Sequence, residues 1–355
     1  MDLRRSSNGQ RRGRCPIHHG ESRGAFHANM ARKTGLSCFG QHGLVIDSCS
    51  MADSQGGRLL CRRAAWKPIL FAPGALKALT ASGGLRFRFE AGEYRFDTGM
   101  LRGTLRAGGK SYGLSEVFHV PSGKILSRAP GWAGLYRVFA ANKRFMPDTW
   151  YSPSEAELRE DGSVEAHWPA SDDRPFATWA SYRLPAPAML DFEIRVRLQS
   201  DVAAFESFFA SYFAEPFTVS KVCVNRKKPE FLAAEQSNGA WQMFPRDRAS
   251  VRIIQDGRWK HPPNPVDWRI MPEFAMPLAF RRDPASGLTA VVMARSSDCI
   301  AVSTPFQTDA HRSLYLSLFG RDMKAGQTAR AAIRIVVGMF SEDAEIFRAY
   351  REFGS

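Results

Sequence analysis

From Leu85 onward, apolar residues recur at every second position. Leu190, Phe192, Ile194, Val196 and Leu198 alternate with Asp191, Glu193, Arg195 and Arg197. That period predicts a half-buried antiparallel strand with one wet face. Leu314, Leu316 and Leu318 alternate in the same way with Ser313, Tyr315 and Ser317, and Ile333, Ile335 and Val337 with Ala332, Arg334 and Val336. Phe87, Phe89, Tyr94 and Phe96 open the series around the turn residues Ala91 and Gly92, and Leu101, Thr104 and Leu105 continue it. The uniformly apolar run 290–294 reads as a central strand. Turn chemistry separates such runs at Glu160-Asp161-Gly162, at 283–287 and at Lys324-Ala325-Gly326. Helical spacing is confined to a short stretch within 69–81 and to 341–353. In the latter, Ser341 is the expected cap, Asp343 sits in the first turn, and Ile346, Phe347, Tyr350 and Phe353 share a face.

Many short alternating strands with few short helices predict an all-β protein built as a large antiparallel β-sandwich. No linker divides 85–340 and no internal repeat is visible, so 65–355 reads as a single domain ending in a helix. No stretch approaches the ~18 consecutive apolar residues of a membrane span, and no membrane partner is expected. The net charge of +14 invites a nucleic-acid reading, but residues 1–64 alone supply +7 of it, with eleven Lys/Arg against four acids. That segment reads as a disordered basic leader or as an extension from an upstream start codon, with Met51 an alternative start. No specific nucleic-acid partner is expected. Residues 6–34 are polar and lack the apolar core of a signal peptide, which favours a cytoplasmic location. Cys15, Cys38, Cys49 and Cys61 lie in the leader, and only Cys223 and Cys299 lie in the body, in strand-like contexts that predict buried free thiols. Cys15 with His18, and Cys38 with His42, have metal-ligand spacing, but no finger pattern links them, so no metal is expected.

Candidate chemistry comes from local composition. The Walker, zincin, nucleophile-elbow and dinucleotide signatures are absent, and no cofactor is expected. The stretch 255–268 concentrates two Trp, Arg258, Lys260, His261 and two Asp among three prolines, which keep it out of a sheet interior. Flat Trp faces meet the C–H surface of a sugar ring while charged groups bond its hydroxyls, so Arg258, Trp259 and Lys260 are candidate ligand contacts. A packed loop over the sandwich end is the alternative. Trp241, Arg246 and Asp247 lie close enough in sequence to reach the same cleft, although Arg246 and Asp247 also read as a surface pair. Arg137 and Lys143 in 136–151 point to an anionic group such as a uronate, sulfate or phosphate. His261 is the candidate proton-transfer residue, with Glu215, after a strand-like aromatic run, as its opposite partner.

Residues 85–340 resemble the galactose mutarotase-like superfamily. The resemblance is carried by Asp97-Thr98-Gly99-Met100-Leu101-Arg102-Gly103, Gly113-Leu114-Ser115-Glu116, Gly134-Leu135-Tyr136-Arg137-Val138-Phe139, Gln242-Met243-Phe244-Pro245-Arg246-Asp247 and Asp256-Gly257-Arg258-Trp259-Lys260. It implies a supersandwich fold and a carbohydrate ligand on its concave face. The histidine contexts of regular aldose 1-epimerases are missing, so no catalytic residue carries over by motif. The resemblance leaves epimerisation, lyase and glycosidic-cleavage chemistry open, with a non-catalytic carbohydrate-binding or scaffolding domain as the alternative.

Overall fold

The structure, a computed structural model, describes residues 84–106, 109–110 and 113–354. The leader and the helix expected within 69–81 lie outside these residues. Two large sheets dominate. A ten-stranded sheet runs from Glu230–Ala233 through Val219–Val224, Phe274–Arg282, Leu288–Ala294, Thr328–Met339, Met189–Leu198, Phe176–Ala186, Val164–Trp168 and Pro153–Leu158 to Gly109–Lys110. A seven-stranded sheet runs from Arg269–Ile270 through Trp241–Pro245, Cys299–Pro305, Ser313–Met323, Val202–Tyr212 and Gly134–Ala140 to Lys143–Phe145. Pairing within both is antiparallel except where Arg269–Ile270 joins Trp241–Pro245. A smaller five-stranded sheet holds Arg88–Glu90 to Lys124–Ile125.

The main core lies between the two large sheets. Leu190, Phe192, Ile194, Ile333 and Ile335 from the ten-stranded sheet join Phe205, Phe209, Leu316, Leu318 and Phe244 from the seven-stranded one. The period-two reading of 189–198 holds. Its apolar set faces this core, and on its other face Asp191 and Glu193 receive hydrogen bonds from Arg334 and Arg330 across the ladder, at 2.6 and 2.8 Å. The strand Leu288–Ala294 is interior, as its uniform apolarity requires, because both of its faces are covered. Its second face, with Cys223 and Phe280, lies under helix Asp343–Gly354, which contributes Ile346 and Phe353. The helix begins later than the sequence predicts. Ser341 is not its cap; instead the Ser341 N–H donates to the Glu345 carboxylate at 2.7 Å. Cys223 and Cys299 are buried free thiols, and burial pushes both up to about 12.

The seven-stranded sheet is also covered on both faces. Away from the main core it carries Phe139, Phe208, Tyr212, Met243 and Tyr315, roofed by Ile254 of the helix Arg248–Ile254 and by Trp259, Val266 and Trp268 of the following loop. For that reason the stretch from Phe205 to Tyr212 is buried without alternation.

Candidate functional site

A break in register prepares the site. Ser207 pairs with Val138 and Phe209 with Leu135, so Phe208 alone stands opposite both Tyr136 and Arg137. This one-residue β-bulge re-aims a side chain that regular alternation would send elsewhere. Both Tyr136 and Arg137 consequently line a pocket of about 270 Å³ on the roofed face, together with Tyr212, Trp241, Trp268 and His311. Phe208 on the sheet meets Trp259 of the roof edge to face, with ring centres 4.8 Å apart, and Tyr315 stacks on Phe208 at 4.8 Å.

Ion pairs beneath the roof hold it in place. Arg258 is fully buried. It donates to Glu206 on the sheet (2.8 Å), to the Ala204 carbonyl (3.1 Å) and, through Nε and Nη2, to Asp256 (3.0 and 2.8 Å). Burial pushes the Glu206 carboxyl up, against the pull of Arg258. Asp256 also accepts the Asn142 N–H at 2.9 Å. Gly257 needs its hydrogen side chain: its φ is +104°, and a Cβ there would meet Asn142 Oδ1 at 2.4 Å. Further along the loop, Arg144 donates to the Pro263 carbonyl and pairs with the buried Asp148.

Arg137 is the unusual member. Its Nη2 donates to the Asn264 carbonyl at 2.9 Å and to Tyr136 Oη at 3.2 Å, yet among the described residues its buried Nε and Nη1 have no hydrogen-bond partner. The guanidinium lies 4.8 Å from the Tyr136 ring centre and 5.4 Å from that of Trp259. Around it, burial pushes the Tyr212 hydroxyl well above the ordinary phenol range and the Tyr315 hydroxyl up to about 12, so both are protonated donors at neutral pH. His311 packs edge-on to Trp241 and Tyr212, with ring centres 5.1 and 5.2 Å apart. The residue is exposed on its outer side, and desolvation against these rings draws it below the usual histidine value.

The structure brings together three of the ligand contacts expected from sequence: Arg137, Trp241 and Trp259. Lys260 lines a second cavity across the Pro265–Trp268 segment. Arg258 is placed beneath the roof with its donors engaged. Arg246 donates to Asp247 at 2.9 Å, and Asp247 caps the helix Arg248–Ile254 by accepting the Ser250 N–H at 2.8 Å. Burial acts upward on Asp247, but those hydrogen bonds and the Arg246 charge bring it down to about 2. Lys143 is exposed, its ammonium 4.5 Å from the Phe145 ring centre. His261 donates through Nε2 to the Asn142 carbonyl at 2.9 Å, and Glu215 is exposed; neither lines the aromatic pocket. His311, Tyr212 and Tyr315 were not singled out as ligand contacts by sequence. Tyr315 had one available signal: it occupies the nominally wet face of a strand otherwise carrying serines.

No protein-family model and no curated protein matches the chain. Among solved structures it is similar to galactose mutarotase-like proteins. One from Lactobacillus casei is 7% identical with a TM-score of 0.45, over 70% of this chain and 100% of that one. A putative aldose 1-epimerase from Escherichia coli is 10% identical with a TM-score of 0.43, over 70% and 99%. A Synechocystis protein is 13% identical with a TM-score of 0.43, over 70% and 96%. At such identities no residue role passes from them to this chain.

Proposed function

We propose that the aromatic pocket binds a sugar ring carrying an anionic group, with Arg137 as the counter-charge. The observation behind this reading is the buried guanidinium with two unpartnered nitrogens. A buried cation without an anion is costly, and a carboxylate or sulfate oxygen accepting from Nη1 or Nε would relieve that cost with a charge-assisted hydrogen bond. Trp241, Trp268 and Tyr136 supply flat faces for the C–H surface of the ring. The volume of about 270 Å³ suits about one ring and falls just below the ~300–1,000 Å³ usual for small-molecule sites.

His311 supports an enzymatic form of this reading. Its pKa is drawn below the usual histidine value and it sits beside two protonated tyrosines, a combination suited to moving a proton on the bound ring. Titration calorimetry with glucuronate, galacturonate and sulfated sugars tests the binding. Arg137→Met is expected to weaken it about 10–100-fold, the worth of a hydrogen-bonded charge at ~1.5–3 kcal/mol. Unchanged affinity refutes the assignment. Turnover lost in His311→Gln with binding retained makes the protein an enzyme, and no turnover in any form makes it a binding domain. His261→Ala and Glu215→Gln, outside the pocket, are expected to leave affinity unchanged.

A further inference from the structure

Arg281 is a fully buried cation that lies outside the pocket lining. It belongs to the strand Phe274–Arg282. There Phe280 faces the helix Asp343–Gly354, and alternation turns Ala279 and Arg281 toward the main core. Its Nη1 donates to the Phe217 and Gln307 carbonyls, both at 3.1 Å, and its Nη2 to the Thr304 hydroxyl at 3.2 Å. All three acceptors are neutral. Among the described residues no carboxylate pairs with it, and its Nε has no hydrogen-bond partner. These bonds converge on one turn. Gln307 belongs to the connection 306–312 between the strands Cys299–Pro305 and Ser313–Met323, and that connection carries His311. The Gln307 N–H donates to the Ala234 carbonyl at 2.7 Å, and the His311 N–H to Asp309 Oδ1 at 2.6 Å. At the base of the turn the Thr304 hydroxyl lies 3.0 Å from the Ser313 carbonyl. A neutral amide could hold the same carbonyls without the desolvation penalty of a buried guanidinium that has no anion. The clamp alone therefore does not account for a charge at this position.

We propose that Arg281 is a positioning residue for the aromatic pocket: it clamps the His311 turn from the core side and places a fixed positive charge behind the imidazole, opposing a second charge there and favouring the form that accepts a proton. This deepens the reading of the pocket as a site that moves a proton on a bound anionic sugar, and rests on it. The other charged groups around His311 are Asp309 and Arg312 on its own turn, Arg128 from the segment after Lys124–Ile125, and Arg137 within the pocket, with the phenols of Tyr136, Tyr212 and Tyr315 beside them. Burial disfavours the imidazolium most; Asp309 favours it, and Arg128 and Arg281 disfavour it. Arg128 is exposed, so water and salt screen it, whereas Arg281 is fully buried and its field is screened much less.

The test is an NMR titration of the histidines in the full chain without ligand, with His311 assigned through His311→Gln. Arg281→Gln keeps an amide donor for the carbonyls and removes the charge. In it the His311 midpoint should rise by about half a pH unit or more. Arg281→Lys keeps a charge and should hold the midpoint closer to that of the unaltered protein. His261, outside the pocket, should titrate unchanged in both. Arg281→Met is the second charge-free variant should the glutamine one not fold. A His311 midpoint unmoved in a folded charge-free variant, or raised equally in Arg281→Lys, overturns the proposal. Failure of both charge-free variants to fold also overturns it and makes Arg281 a structural clamp alone. Because no sugar is present, these outcomes leave the anionic-sugar reading standing; that reading falls instead if Arg137→Met leaves glucuronate affinity unchanged.

Discussion

Removing Arg258 should damage the protein more than removing any surface charge, and should do so through the residue left behind. Its side chain is fully buried, as is that of Glu206, and the pair is joined at 2.8 Å. In Arg258→Met the stem volume is kept, Asp256 can turn its partly exposed carboxylate to water, and Glu206 remains under the roof with no cation. Stripping one partner from such a pair costs ~3–5 kcal/mol, a large share of the ~5–15 kcal/mol that stabilises a typical domain. Replacing both partners, as in Arg258→Met with Glu206→Leu, removes the orphan charge and should restore at least half of the loss. Urea unfolding followed by tryptophan fluorescence reads this directly, because Trp259 and Trp268 flank the break. The single variant also carries a pH signature. With its cation gone, the Glu206 carboxyl has a folded pKa raised further above its unfolded value of ~4.3. The folded state then holds the proton more tightly, so stability is greatest below that value and is lost as pH rises through the raised one. A loss below ~1 kcal/mol in the single variant, or a double variant as damaged as the single, would refute the claim that this pair holds the loop by compensated burial.

Two further outcomes follow from the same geometry. The depressed pKa of His311 gives a contribution to stability that is full above the unfolded value of ~6.5 and is lost as pH falls toward the folded one. His311→Gln should flatten that acid limb in pH-dependent urea titrations, and an unchanged slope would contradict it. Gly257→Ala should lower stability by ~1–3 kcal/mol through its left-handed backbone and its contact with Asn142. Adding Asn142→Gly should return only the part due to the contact; a thermal melt that shows no loss in the single variant removes the argument.

Much of the fold was legible because one sheet obeys the simplest rule. Strands such as 189–198 bury one face and wet the other, so alternation declares them. The seven-stranded sheet hides its second face under the loop 255–268, and there alternation misleads or is lost: Ser313, Tyr315 and Ser317 alternate with leucines as a wet face would, yet all three are buried, and Phe208 and Tyr212 look like further core. The loop announced itself by composition, and Trp241, Trp259 and Arg137 were legible as aromatic and cationic oddities. The Glu206 partner of Arg258 was not, because it lies on a distant strand and only folding brings the two together. His311 gave no local signal either, since it lies in a turn and its aromatic neighbours Tyr212 and Trp241 come from two distant strands. Helix capping by Asp247 likewise competes with ligand contact, and spacing alone does not separate the two roles.

The bulge opposite Phe208 makes the lining of the aromatic pocket depend on residue count as much as on residue identity. Deleting Tyr136 would restore regular pairing along Gly134–Ala140, the more ordinary way to build a strand, while carrying a neighbouring side chain to the opposite face. A single-codon insertion or deletion in this strand could therefore switch the pocket on or off while the sandwich around it stays intact. Relatives that share the architecture can be sorted by whether they carry that extra residue, independently of how similar the rest of their sequences are.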